Sequence, residues 1–195
     1  MLLKQLSKKD RHIFLCTAQL LTLADQPLLW NGEPRSRTTM NTRFTNITIA
    51  RSSARQAAID ELFSALDATE RLSIVVDYAI QGPQPGEIAA KLISELRLLP
   101  AKDENDPALR LKVANQLLAQ VMKTDKAALP SVPKLMLFEL MLLALTDGTI
   151  SSVQWQLLVE FRHHYGLEEY IFDDLLMRAQ CTHMETQKTL AIILE

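Results

Sequence analysis

The fold is decided by residues 135–166, which read LMLFELMLLALTDGTISSVQWQLLVEFRHHYG. An almost wholly apolar segment stops at Asp147-Gly148, and a second, amphipathic segment begins three residues later, at Ser151. Gly148 stands just past the last apolar residue, where helices often end in a backbone conformation with positive φ that suits glycine. The pattern therefore predicts two buried helices joined by a very tight turn.

Local signals mark both ends of the second helix. Ser151 is a favourable N-cap residue, and Gln154 follows three residues later, as in a capping box. His163, His164 and Gly166 stand at the other end, where basic side chains and glycine are common. Because the capping residues, the glycine positions and the apolar pattern all favour the same structure, we expect this helical hairpin to form.

The same hairpin resembles the tellurite-resistance TerB-like family across roughly residues 130–180. Members carry an apolar helix that ends in Ala-Asp-Gly-x-Ile/Val-Ser, and here residues 144–151 read ALTDGTIS. The second helix of the family closes at a Leu-Gly-like step, and the matching residues here are Leu157, Leu158, Phe161, Gly166 and Leu167. Two positions depart from the family pattern: Gln154 replaces the usual Glu, and Thr146 replaces a small apolar residue.

The resemblance implies an all-helical fold with two such hairpins related by pseudo-symmetry. Acidic residues near the turns have been proposed as a metal site in the family, and Asp147 is the matching candidate here. An internal repeat would fit this picture, since residues 19–26, QLLTLADQ, can be laid on residues 141–148, MLLALTDG, with Asp25 over Asp147. A chance match between two leucine-rich helices is the alternative.

A calcium-binding EF-hand loop can be rejected at the turn. With Gly148 at loop position 6, ligand positions 1 and 3 would hold Leu143 and Leu145, and position 12 would hold Gln154. A hard cation needs several oxygen ligands with net negative charge. Asp147 is instead interpreted as a helix-end residue whose side chain bonds local backbone N–H groups.

The remainder of the chain reads as one helix after another. Helix starts are predicted at Ser7 or Asp10, Ser52 or Ser53, Asp67, Glu87, Asp106-Pro107 and about Glu168. The prediction is an all-α, compact multi-helix bundle that forms one domain over residues 1–195, with a non-helical insertion at 27–53. Any strand is expected within Thr38–Ala50, and residues 135–145 are expected to form the central, fully surrounded helix.

Composition limits the functional classes. Hydrophobic residues make up 48% of the chain and charged residues 23%, which is ordinary for a globular protein, and the net charge of −2 gives no overall polyanion-binding field. No apolar run reaches the ~20 residues needed to span a bilayer. We therefore expect a cytoplasmic protein without membrane insertion, in which Cys16 and Cys181 are reduced and mostly buried.

The insertion concentrates positive charge. No Asp or Glu occurs between residues 34 and 59, but five arginines do: Arg35, Arg37, Arg43, Arg51 and Arg55. Loops carry binding function more often than cores do, so these arginines are the candidate partner-binding residues. The alternatives are a solvated loop whose arginines pair with acids elsewhere, contact with phosphate or nucleic acid, and docking to a protein.

Motifs for catalysis and metal binding are few. The chain has no Gly-rich phosphate loop, no Gly-x-Ser-x-Gly and no Cys-x-x-Cys. Cys181 and His183 with a third histidine would give fewer than the four zinc ligands of a structural site. A Cys–His nucleophile built on Cys16 or Cys181 lacks a third, orienting residue. Four acidic residues are interpreted as a solvated face, with a patch for a basic partner as the alternative: Glu168, Glu169, Asp173 and Asp174.

Two functional hypotheses follow. The first is a non-enzymatic, TerB-like interaction or scaffold module, without a cofactor, that binds another protein in a bacterial stress-response or defence system. The second is a regulatory domain that binds nucleic acid or another polyanion through the Arg-rich insertion. The sequence leaves the oligomeric state and the partner's identity open.

Overall fold

The computed structural model describes residues 6–34, 37, 46–64, 83–99, 106–123 and 129–194. These residues form seven α-helices and one small sheet, which confirms the all-α class. The helices are α1 (Lys8–Leu23), α2 (Ser53–Ser64), α3 (Ile88–Leu96), α4 (Pro107–Met122), α5 (Ser131–Ala144), α6 (Ser152–His164) and α7 (Glu169–Leu194). The helix predicted to start at Asp67 lies outside the described residues.

Helix α1 holds the centre of the described fold. It contacts α2, α3, α4, α5 and α6, and twelve of its sixteen residues are buried. The sequence predicted this role for residues 135–145, but α5 shares it with α1. Two threonines are tolerated in this buried helix because the Thr17 hydroxyl donates to the Ile13 carbonyl at 2.8 Å and the Thr22 hydroxyl to the Gln19 carbonyl at 3.0 Å.

The predicted hairpin of α5 and α6 is confirmed. A 3₁₀ turn at Leu145–Asp147 leads to Gly148, whose φ is 87°. At the start of α6, the Ser151 hydroxyl accepts from the Gln154 N–H at 3.2 Å, and Gln154 Oε1 accepts from the Ser151 N–H at 3.0 Å. This reciprocal capping box satisfies two N–H groups that an α-helix leaves unpaired at its start.

Two other predicted helix starts are confirmed by their caps. Ser7 Oγ accepts from the Asp10 N–H at 3.2 Å at the start of α1. Asp106 Oδ1 accepts from the Ala108 N–H at 2.8 Å at the start of α4, with Pro107 as the first helical residue. Short-range capping rules therefore locate these helix starts in the sequence.

A three-stranded antiparallel sheet follows α1, in the order β2-β1-β3, with β1 at Leu28–Trp30, β2 at Glu33–Pro34 and β3 at Ile47–Ile49. The expectation that strands would be confined to Thr38–Ala50 was wrong for β1 and β2. Asn31 (φ 53°) and Gly32 (φ 86°) join these two strands. Asn-Gly is the pair that a tight two-residue hairpin turn prefers, so the sequence carried a signal for this hairpin.

The last helix, α7, spans 26 residues and extends well past its packing against α5. Its first half packs against α5, with Phe172 and Ala179 buried. From residue 180 onward every described residue is exposed except His183, which is half-buried. We call residues 180–194 the α7 arm. Within the described part of the chain, no helix is long and apolar enough to span a membrane.

Candidate functional site

A cluster of charged side chains lies where α1 ends, α2 begins and the turn after α5 closes. Arg55 Nη1 donates to Asp25 Oδ1 at 2.8 Å, and Arg55 Nε lies 2.6 Å from Asp147 Oδ2. Ser52 Oγ also donates to Asp147 Oδ1, at 2.9 Å. The side-chain exposures are 7% for Arg55, 13% for Asp25 and 31% for Asp147. We call these four residues the Arg55 cluster.

The Arg55 guanidinium occupies the space between the two carboxylates. Asp147 therefore finds its partners on and just before α2, and the interpretation that it bonds local backbone N–H groups was wrong. Asp25 and Asp147 are also the two residues that the repeat alignment superposes. Their shared contact with Arg55 means that a metal ion at Asp147 would have to displace a buried cation.

The arginines of the insertion have different surroundings. Arg55 is buried by its two aspartates and is not exposed for a partner, whereas Arg51 is exposed and its Nη1 donates to Gln56 Oε1 at 2.9 Å. Arg37 is also exposed, with Nη1 3.8 Å from a Glu33 carboxylate oxygen. Arg35 and Arg43 lie outside the described residues. The described structure therefore leaves Arg37 and Arg51 as candidates for surface binding.

Two buried polar side chains meet the C-terminal end of α1. Arg110 Nε donates to the Ala24 carbonyl at 2.9 Å, and Arg110 Nη2 donates to the Gln26 carbonyl. Gln154 Nε2 donates to the Leu21 carbonyl at 3.3 Å. Since the last carbonyls of a helix lack partners within it and carry partial negative charge, these donors stabilise the end of α1.

Arg110 is not among the candidates predicted from the sequence, although its position carries a signal. Arg110 falls on the same helical stripe as Val113, Ala114 and Leu117, at spacings of three, four and seven residues. A charged residue on such a stripe must find a buried partner, because an unpaired buried charge is costly. The sequence gives no means of placing that partner on α1, 86 positions away.

Cys16 and His12 form a buried pair that does not suit nucleophilic chemistry. Cys16 Sγ donates to the Pro83 carbonyl at 3.2 Å and lies 3.7 Å from His12 Nε2. Burial raises the pKa of Cys16 to about 12, and burial also lowers the pKa of His12. Both shifts disfavour the thiolate–imidazolium pair that an activated cysteine needs.

We therefore expect the two cysteines to differ sharply in reactivity. At about pH 8, iodoacetamide should label the exposed Cys181 in the native protein and leave Cys16 unmodified, because Cys16 is buried with a raised pKa. Intact-mass spectrometry should show one adduct in native protein and two after denaturation. In a Cys181→Ser variant the native protein should show none, and fast labelling of that variant would contradict the buried placement.

The remaining candidates do not assemble into a metal site. Among the described residues, no group of three or more His, Cys, Asp or Glu side chains is placed to hold a metal ion. Cys181 is exposed, contrary to the expectation that both thiols would be mostly buried. Glu168, Glu169, Asp173 and Asp174 are all exposed along the start of α7, as a solvated acidic face requires.

The α7 arm carries exposed apolar side chains. Four large aliphatic side chains are exposed over its last five residues: Leu190, Ile192, Ile193 and Leu194. A groove of about 520 Å³ runs beside the arm, and its described lining residues are Cys181, Thr182, Glu185, Thr186, Thr189 and Leu190. Leu190, Ile193 and Leu194 share one side of the helix by helical spacing, and contiguous exposed apolar surface of this kind is typical of a protein interaction site.

Comparison with known proteins gave no match, either to a family model or to a curated protein or solved structure.

Proposed function

We propose that this protein is a non-enzymatic, TerB-like interaction module that contacts another protein chain through the α7 arm. The observation that supports this proposal is the apolar end of α7. Leu190, Ile193 and Leu194 are exposed there, on a helix that continues beyond its packing against α5. Water contact with this surface is unfavourable by about 25 cal/mol per Å² of apolar area. A second protein surface would remove that cost.

Two features support the TerB-like part of the proposal. The α5–α6 hairpin has the tight turn and capping box at the residues that carry the resemblance. Asp25 and Asp147, which the proposed repeat alignment superposes, converge on one arginine. By the same resemblance we place the module as a scaffold or adaptor in a bacterial stress-response or defence system, in the cytoplasm.

Site-specific photo-crosslinking in the native host tests the proposed surface. A photoreactive amino acid at position 193 should form an adduct with a protein, which mass spectrometry would identify. The matched control is position 192, which is similarly exposed (74% against 70%) but rotated by about 100° around the helix. Leu98, on another part of the surface, is a second control. Adducts that are no stronger at 193 than at the controls would contradict the proposal.

Polyanion binding is a second candidate, favoured by the exposure of Arg37 and Arg51. Binding to nucleic acid would weaken steeply with added salt, because each phosphate contact releases counterions. An Arg37→Ser/Arg51→Ser variant would then show a shallower salt dependence than wild type. If neither the wild type nor the variant binds nucleic acid at low salt, polyanion binding is excluded as a function.

A further inference from the structure

We infer that a groove between the start of α5 and the first half of α7 binds a small amphiphilic carboxylate, of the fatty-acid class, whose head group pairs with Lys134. The groove has a volume of about 450 Å³, within the usual range of small-molecule sites. Its described lining residues all precede the α7 arm, so the inference goes beyond the proposed function and does not depend on it. Two properties of the groove carry it: apolar walls and a lysine without an ion pair.

Aliphatic and aromatic side chains from two helices form the walls of the groove. Leu135 and Phe138 lie on α5 within one helical turn of each other, and Leu175 contributes from α7. All three are half-buried and pack against the core. Because their outer parts remain in contact with water, an apolar chain that lies along them would remove that surface from water. The walls therefore favour a ligand with a hydrocarbon part.

The polar side chains of the groove lie toward one end, at the start of α5. Ser131 and Lys134 belong to the first turn of the helix, and Leu135 and Phe138 follow them along it. A hydroxyl and an ammonium group thus stand beside a run of apolar surface. This arrangement matches a ligand that has a polar head and an apolar tail.

Lys134 gives the polar end of the groove its charge. The side chain is half-buried, and none of the ion pairs found among the described residues includes it. The first turn of α5, all of which is described, contains no acidic residue either. Since an ammonium group forms strong hydrogen bonds with carboxylates, this lysine selects an anionic head group.

The start of α5 adds to the positive potential beside Lys134. Pro130 is the N-cap residue, and no side chain among the described residues caps the helix there. A helix start carries partial positive charge, which makes a lysine in the first turn unfavourable and a bound anion favourable. A carboxylate at Lys134 would therefore interact with both the ammonium group and the helix start.

The acidic residues of α7 restrict the charge of the ligand. Four exposed acids lie at the start of α7, and none of them is a described lining residue of the groove: Glu168, Glu169, Asp173 and Asp174. The last two directly precede Leu175, so they point about 200° and 100° away from it around the helix. Their charges still repel a head group, and they do so more strongly if it carries two negative charges. One lysine beside this surface therefore suits a monoanion.

Calorimetric titration of the full chain with octanoate tests the inference. Wild type should bind with a Kd of roughly 0.1 mM, as expected for a ligand of this size. Acetate lacks the apolar tail and should show no binding at the same concentrations. Octanol lacks the charge and should bind about tenfold more weakly than octanoate.

Substitutions at Lys134 test the assigned head-group contact. Lys134→Met removes the charge and keeps most of the aliphatic stem, so the affinity for octanoate should fall about tenfold. Lys134→Arg should stay within about threefold of wild type, because a guanidinium also pairs with a carboxylate. Lys112→Met is the matched control, since Lys112 is an exposed lysine on α4 that does not line the groove. It should leave the affinity within about twofold of wild type. Melting curves without ligand check that each variant is folded.

Three results would overturn the inference. The first is a wild-type chain that shows no binding up to about 5 mM octanoate. The second is equal affinity of wild type and Lys134→Met, which would place the ligand on other apolar surface, such as the α7 arm. The third is octanol that binds as tightly as octanoate, which would mean that the groove does not recognise the charge. None of these results bears on the proposed function, which crosslinking at position 193 tests separately.

Discussion

Replacing Arg55 by Met should lower the free energy of unfolding by about 3 kcal/mol, because breaking a buried ion pair leaves its partners uncompensated. Methionine keeps most of the aliphatic stem, so the loss reports mainly the guanidinium. Without it, Asp25 loses its 2.8 Å partner and faces Asp147 with no cation between them. Urea unfolding of wild type and variant measures the difference.

Arg51→Met is the matched control for Arg55→Met. Arg51 stands four residues earlier in the same arginine-rich segment, but it is exposed and bonded only to Gln56 among the described contacts. We expect its replacement to change stability by less than about 0.5 kcal/mol, as at most surface positions. Equal effects at the two positions would contradict the assignment of Arg55 as the buried cation.

A double variant separates charge repulsion from lost packing. Adding Asp147→Asn to Arg55→Met removes one of the two facing carboxylates, and about 1 kcal/mol of stability should return. In the wild-type background, Asp147→Asn should instead destabilise the protein, because it removes the carboxylate that pairs with Arg55. The loss should be only about 1 kcal/mol, since position 147 is partly exposed and the asparagine amide oxygen can still accept from Ser52. If charge repulsion is the cause, Asp147→Asn should raise the free energy of unfolding of the Arg55→Met protein and lower that of the wild type.

The sequence predicted those features that depend on neighbouring residues. Ser7, Asp106 and Ser151 cap helices as expected, and Gly148 takes the positive φ that its position after an apolar run indicated. These outcomes follow from hydrogen bonds and sterics within a few residues. The Asn31-Gly32 turn belongs to the same class and was recognisable from the sequence.

Contacts between distant segments could not be predicted in the same way. Arg55 was grouped with the surface arginines because one-sided charge in a segment does not reveal whether an acid from another helix covers it. Its partners lie 30 positions before it and, at Asp147, in the turn after α5. Arg110 was overlooked for a related reason: a periodic pattern shows that its face is buried but not which carbonyls lie opposite.

Gln154 combines a local and a distant role, and Gln154→Glu should destabilise the protein strongly near pH 7. The capping box alone would accept either residue, because both offer an oxygen to the Ser151 N–H. The buried amide also donates from Nε2 to the Leu21 carbonyl at 3.3 Å. An ionised glutamate cannot donate there, and we expect a loss of about 3 kcal/mol from burying its charge beside a carbonyl.

The Gln154→Glu variant should regain stability in acid. The direction of this pH dependence follows from the linkage between proton binding and folding. Burial raises the pKa of a glutamate at position 154 above the unfolded value of about 4.3. The protonated form, whose O–H can donate to Leu21, is therefore favoured by folding. Its stabilising contribution is fully present below about pH 4.3 and is lost as the pH rises through the raised folded-state pKa. The gap between variant and wild type should thus narrow as the pH falls from neutral.

Gln156→Glu is the control that isolates burial, since Gln156 is exposed on the same helix two residues later. Melting curves of wild type and both variants, recorded at about pH 4.5 and pH 7, should show a large and pH-dependent loss at position 154 and a small, nearly constant change at 156. A Gln154→Glu protein as stable as wild type at neutral pH would mean that the bond to Leu21 contributes nothing. The observed contact instead gives a physical reason for glutamine at position 154: the end of α1 requires a neutral donor there.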